Sequence, residues 1–200
     1  MIEFFFDFAS PYSYVAAHRI ELLATQYGRT VDWRPFLMAA VFKASGSVPL
    51  VQQYAPKARY ALIDFARSAE LAGLDFRLPD PFPIMTQNAA RAALWVKGEA
   101  PARIGDFVRA VTRAYFVDNA AINEPAVLAG IGTTLGFDGD ALVAATTDAS
   151  IKDALRRDTD EAIARGVFGT PFVFVDGEPF WGNDRLDHVQ ARLAAHSEKA

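Results

Sequence analysis

Strand-forming segments occur only at the two ends of this chain, separated by well over a hundred residues that carry helical signals. Near the N-terminus, Ile2-Glu3-Phe4-Phe5-Phe6-Asp7-Phe8 is an aromatic run that reads as a buried strand over 2–8. Ser10-Pro11 then supplies an N-cap side chain followed by proline at the first helical position. Ala16, Ile20, Leu23 and Tyr27 recur at helical spacing up to Gly28, which predicts one helix from about 11 to 27. The segment Thr30-Val31-Asp32-Trp33-Arg34-Pro35-Phe36 alternates again and predicts a second strand. From 38 to 165 the pattern is helical, with alanine-rich stretches near 56–73, 87–97, 101–117, 124–136 and 148–165. The proline-rich run 78–83 interrupts it, and Asn123-Glu124-Pro125 resembles a cap and first turn. After Gly166, Thr170-Pro171-Phe172-Val173-Phe174-Val175, the turn Asp176-Gly177 and Glu178-Pro179-Phe180-Trp181 predict a β-hairpin. A closing helix follows from Asp184 to about Ala195. The order β-α-β, helices, β-β-α lets the two ends share one sheet, because crossover connections bring separated strands together. The expected fold class is therefore α/β, a thioredoxin-like fold with a large all-helical insertion. Residues 1–37 and 166–200 would form the thioredoxin-like domain, and 38–165 the helical insertion.

Composition narrows the chemistry. The 200 residues contain no cysteine, which excludes disulfide exchange, thiolate metal sites and a cysteine nucleophile. Any sulfur chemistry must arrive with a ligand. Only His18, His188 and His196 supply imidazoles, without metal-ligand spacing, so no metal is expected. Lys plus Arg number 20 against 24 Asp plus Glu, leaving no basic surplus for nucleic acid. No targeting segment and no apolar run of about 20 residues is evident, so a soluble cytoplasmic protein without membrane contact is expected.

Three motifs remain. Ser10-Pro11-Tyr12-Ser13 sits between strand and helix, where thioredoxin-type folds carry a C-x-x-C pair. Ser10 can be simply an N-cap; it can also donate a hydrogen bond to a thiolate brought by another molecule. Gly166-Val167-Phe168-Gly169-Thr170-Pro171 reads either as a helix stop before an edge strand or as a loop with a cis Thr170–Pro171 bond. The cis form would turn the backbone N–H and C=O of Thr170 toward a peptide-like ligand. Trp181-Gly182-Asn183-Asp184 ends in two capping residue types, and Asp184 can equally pair with a free α-amino group.

Together with Phe6-Asp7-Phe8-Ala9 ahead of the first motif and Arg185-Leu186 after the third, these segments resemble the 2-hydroxychromene-2-carboxylate isomerases, which group with kappa-class glutathione transferases and DsbA-type oxidoreductases. The resemblance extends through Pro35-Phe36-Leu37 and Phe42-Lys43-Ala44-Ser45-Gly46 and covers nearly the whole chain. It implies glutathione as cofactor, a small aromatic carboxylate as substrate and a homodimer. Ser10 matches the serine at the glutathione sulfur, Thr170 and Pro171 the loop that holds the peptide backbone, and Asn183 with Asp184 the γ-glutamyl site. Lys57 matches the lysine at the glycyl carboxylate, although a solvated helix lysine is the plainer reading. Ser47 stands where kappa-type chains usually carry asparagine. Lys43 and Trp33 are candidates for facing the aromatic substrate, while a tryptophan on a strand is more often core. The implied activity is glutathione-dependent conversion of 2-hydroxychromene-2-carboxylate to trans-o-hydroxybenzylidenepyruvate. Conjugation of glutathione to electrophiles by a kappa-like transferase is the alternative, and a non-enzymatic thioredoxin-fold binding module is a third.

Overall fold

The computed structural model describes residues 1–197, with side chains through Ala195. The side chain of His196 thus lies outside the described residues. Four strands form one mixed sheet: β1 (Ile2–Phe6), β2 (Val31–Pro35), β3 (Phe172–Val175) and β4 (Glu178–Trp181), in the spatial order β2-β1-β3-β4. β1 pairs in parallel with β2, with Phe4 opposite Trp33, and antiparallel with β3, with Phe5 opposite Phe172. The terminal segments do share a sheet. The β3–β4 turn places Asp176 and Gly177 at φ of 51° and 88°, the sign pair that a tight hairpin turn requires.

Strand alternation sorts the aromatic run onto two faces. Ile2, Phe4, Phe6, Trp33, Val173 and Val175 face one cluster, which Val15, Ile20, Phe107, Tyr115, Val189 and Leu193 complete. Phe5, Phe172 and Phe174 face the other, against Phe36, Met38, Val41, Ala162 and Val167. Each fully buried phenylalanine contributes about 1.5–3 kcal/mol of transfer free energy, so β1 organises both layers.

The first helix departs from the sequence expectation. It is divided into α1 (Pro11–Ala17) and α2 (Ile20–Gln26). At the junction His18 N–H donates to Val15 O and Arg19 N–H to Ala16 O, so three-residue bonds interrupt the α-helical ladder. Between β2 and β3 lie α3 (Met38–Ser45), α4 (Ala55–Leu71), α5 (Gln87–Glu99), α6 (Ile104–Phe116), α7 (Pro125–Thr134), α8 (Gly139–Ala145) and α9 (Ala149–Ala164). The closing helix α10 runs Leu186–Ser197, after a 3₁₀ turn at Asn183–Arg185. Asn123 does not cap α7; its side chain donates instead to Glu124 Oε1 at 2.8 Å. Ala89, Ala90, Ala92 and Ala93 are all buried, and their small side chains let α5 pass close to β2, α6, α8 and α9. α9 lies on the sheet through Ala162, opposite the layer formed by α1 and α6. Among the described residues, no helix is long and apolar enough to cross a membrane.

Candidate active site

Four residues separate the end of β1 from α1, and the buried carboxylate of Asp7 shapes them. Its Oδ1 accepts from Ala9 N–H at 2.9 Å, and Ser10 N–H donates to Asp7 O at 3.1 Å, which closes the turn. Ser10 caps α1 in extended conformation (φ −95°, ψ 116°), its Oγ accepting from Ser13 N–H at 3.1 Å. The same Oγ donates to Thr170 O at 3.3 Å, the long end of the hydrogen-bond range. Ser13, only 1% exposed, places its Oγ 2.7 Å from Thr170 Oγ1. Asp7 N–H donates to that same Thr170 oxygen at 3.2 Å.

The loop on the other side is held as closely. The Thr170–Pro171 bond is cis, the second of the two readings the sequence allowed. Pro171 O accepts from Gly182 N–H at 3.0 Å, joining the loop to the end of β4. Gly182 has φ +105°, where a side chain is strained, and a Cβ there would also strike Asp184. A Cβ on Gly169 would run into the Trp181 indole, so the loop passes directly under that ring. Phe168 and Trp181 pack edge to face at 4.8 Å yet remain 55% and 52% exposed. The turn Asn183–Arg185 lies against α1. Asn183 is half-buried, and exposed Asp184 pairs with Arg185 at 2.8 Å.

Of the sequence candidates, Ser10, Thr170, Pro171, Asn183 and Asp184 therefore converge on the N-terminal end of α1. Lys57 is exposed in the first turn of α4. Seven residues on, at two-turn spacing on the same face, Asp64 accepts a 2.6 Å hydrogen bond from Tyr12 of α1. Lys57 therefore shares the face of α4 whose Asp64 end is bonded to α1. Burial and the neighbouring Asp64 carboxylate push the Tyr12 phenol well above its usual range. Lys43 and Ser47 are exposed at the C-terminal end of α3 and just beyond it, and neither side chain has a hydrogen-bond or ion-pair partner among the described residues. Trp33 requires a correction. It is 1% exposed and packs edge-on against Phe4 and Phe6 at 5.1 and 5.7 Å, so it belongs to the core and cannot face a substrate.

Sequence reasoning assigned no role to Asp7. It is 5% exposed; besides Ala9, it accepts from Thr86 Oγ1 at 2.9 Å and from Met38 N–H at 2.8 Å. Burial raises its carboxyl above the ordinary carboxylate range, against the pull of these bonds. The signal was an acidic residue enclosed between Phe6 and Phe8 in an aromatic run, the pattern of a buried polar group with dedicated partners.

A DSBA-like thioredoxin domain model matches residues 1–194. The chain belongs to the DsbA-like thioredoxin family. Within that family it is similar to the 2-hydroxychromene-2-carboxylate isomerase of Sphingobium xenophagum, at 33% identity over 96% of this chain and 97% of that protein. It is also similar to glutathione S-transferase kappa 2 of Caenorhabditis elegans, at 29% identity over 97% of this chain and 92% of that protein. A solved 2-hydroxychromene-2-carboxylate isomerase structure superposes with a TM-score of 0.89 at 28% identity, covering 99% of this chain and 96% of the other. This DsbA-like chain carries hydroxyls where the redox pair would stand, so its own side chains cannot form or exchange a disulfide there.

Proposed function

We propose that this protein is a glutathione-dependent isomerase that converts 2-hydroxychromene-2-carboxylate to trans-o-hydroxybenzylidenepyruvate. This is a step of naphthalene-type aromatic catabolism, carried out by a cytoplasmic homodimer. One observation carries the reading: Ser10 places a hydroxyl, not a thiol, beside the Thr170 backbone at the start of α1. The named relatives, isomerases at 31–34% identity over nearly the full chain, support the reaction class.

The residues fit a peptide thiol. Among the described residues Thr170 N–H has no partner, and its carbonyl accepts only the long bond from Ser10, so both remain free to pair with a peptide backbone. Asn183 and Asp184 would receive the γ-glutamyl ammonium and carboxylate, and Lys57 the glycyl carboxylate. Ser47 takes the place of the asparagine, with shorter reach, and Lys43 would face the carboxylate of the aromatic substrate. When bound, glutathione would supply a thiolate for reversible addition to the conjugated carbon; with the hemiketal ring C–O bond opened to a phenol and a 2-keto acid, the former double bond is a free single bond, and loss of the thiolate after rotation would give the trans alkene. Ser10 stabilises that thiolate. Lowering a thiol from about 8.5 by about two units requires roughly 2.7 kcal/mol. A helix N-terminus contributes about 0.3–1 kcal/mol and a hydrogen bond to a charged group about 1.5–3 kcal/mol, so the Ser10 hydroxyl carries the larger share. Redirecting it from Thr170 O gives up only a bond at the long end of the range.

Glutathione stoichiometry tests the proposal. Thiol-stripped enzyme should barely isomerise the chromene, substoichiometric glutathione should restore many turnovers with free thiol constant, and S-methylglutathione should not support turnover. Activity without a thiol, or with the methylated analogue, would rule out thiolate addition. The kappa-class relative keeps a transferase as the second reading, and loss of one thiol per product would establish it instead.

A further inference from the structure

The two serines of the Ser10-Pro11-Tyr12-Ser13 turn stand at equivalent-looking positions, yet the structure gives them different neighbours. Ser10 faces the Thr170 carbonyl, half-buried at the mouth of the site. Ser13 is buried and meets the side chain of Thr170 instead, its hydroxyl 2.7 Å from the threonine Oγ1, close to the most frequent O–H···O distance. That Oγ1 also accepts from Asp7 N–H at 3.2 Å. These contacts cross 157 and 163 residues of sequence and tie the loop 166–171 to both α1 and the end of β1. Asp7 is fixed in turn by Ala9, Met38 and Thr86, so the Thr170 side chain is anchored to a rigid point.

We infer that the Ser13–Thr170 hydroxyl pair, anchored at Asp7 N–H, is a positioning unit that sets the backbone of Thr170 for a peptide-thiol ligand, while Ser10 alone meets the sulfur. The inference rests on the function proposed above in naming the ligand. The threonine is held through its side chain, while among the described residues its N–H has no partner and its C=O accepts only the long bond from Ser10. A loop held in this way loses little freedom on binding, and preorganisation of that kind appears as affinity. Ser13 is thereby withdrawn from sulfur chemistry, because its hydroxyl is committed to a buried bond that would otherwise be unmade.

Thr170→Val keeps the shape and removes the hydroxyl; Thr170→Ser keeps the hydroxyl; Ser13→Ala removes the other partner. Hydrogen exchange of the Asp7 amide reads the anchor without any ligand. Calorimetry with glutathione reads affinity, and thiolate absorbance of the bound glutathione against pH reads its ionisation. In Thr170→Val the Asp7 amide should exchange at least about tenfold faster, and glutathione should bind about five- to tenfold more weakly, the loss of one buried hydrogen bond. The bound thiol should ionise as in the wild type, since Ser10 is intact. Ser13→Ala should weaken binding in the same direction, and Thr170→Ser should restore both readouts toward wild type. Unchanged exchange or affinity in Thr170→Val, a shifted thiol ionisation, or failure of Thr170→Ser to rescue would overturn the inference. If the wild type itself binds no glutathione, the functional proposal and the ligand role both fail, whereas the exchange measurement still decides whether the anchor exists.

Discussion

Ser10 uses one oxygen for two tasks: it accepts from Ser13 N–H as the cap of α1 and donates its single proton to Thr170 O. Only the second task is transferable to a sulfur anion. Ser10→Ala should therefore lower turnover by at least about tenfold, equivalent to about 1.4 kcal/mol of transition-state stabilisation. Its stability should change by no more than about 1–2 kcal/mol, the range for a lost helix cap. Steady-state kinetics beside urea denaturation check both, and near-normal turnover would reduce Ser10 to a cap. The cap itself was legible, because Ser followed by Pro before a periodic apolar segment has a local cause. The fate of Trp33 was not, since a tryptophan on a strand faces core or groove according to what lies across the sheet from it.

At the scale of elements, the first helix divides into α1 and α2 at the three-residue bonds of His18 and Arg19, where no proline or glycine provides a local mark. α4 shows the converse. Its periodicity located it closely, while its relation to the site depends on Tyr12 and Asp64, 52 residues apart. Lys57 sits two turns before Asp64 on that face and has no partner among the described residues. A cation that meets only the distal carboxylate of a ligand contributes equally to ground and transition states. Lys57→Ala should thus raise the glutathione dissociation constant about two- to fivefold with little change in turnover at saturation. Unchanged affinity by titration calorimetry would assign that role to another residue.

For the molecule as a whole, Asp7 is a junction: it joins β1 to the start of α3 through Met38 and to the start of α5 through Thr86. All three partners approach as donors, and an asparagine would set its NH2 against at least one of them. Asp7→Asn should therefore destabilise the fold by about 1–3 kcal/mol at neutral pH in denaturant titrations. Because the folded pKa is raised above the reference value of 3.8, the folded state binds more protons between the two values, and stability falls as pH rises through that window. The advantage of the wild type over Asp7→Asn should be no smaller near about pH 5 than near about pH 8; a gap that widens with rising pH would mean a lowered folded pKa. Glu3 and Glu161, held low by hydrogen bonds from Arg165 and Arg34, titrate with the opposite sign in both proteins and cancel in the comparison.

Sequence alone determined the strands at both ends, the shared sheet, the helical middle and the absence of a redox pair, because alternation, periodicity, capping and cysteine content are local properties of the chain. It also identified Ser10, Thr170 and Pro171 through motifs whose turn chemistry is local. Tertiary structure decided which serine meets the Thr170 carbonyl and which is buried against its side chain, that Trp33 is core, and that Asp7 holds three elements together. Each of these depends on partners 29 to 163 residues away, such as Phe4 across from Trp33 and Thr170 beside Ser13. Hydrogen bonds and burial act through space, and only the folded chain sets those distances.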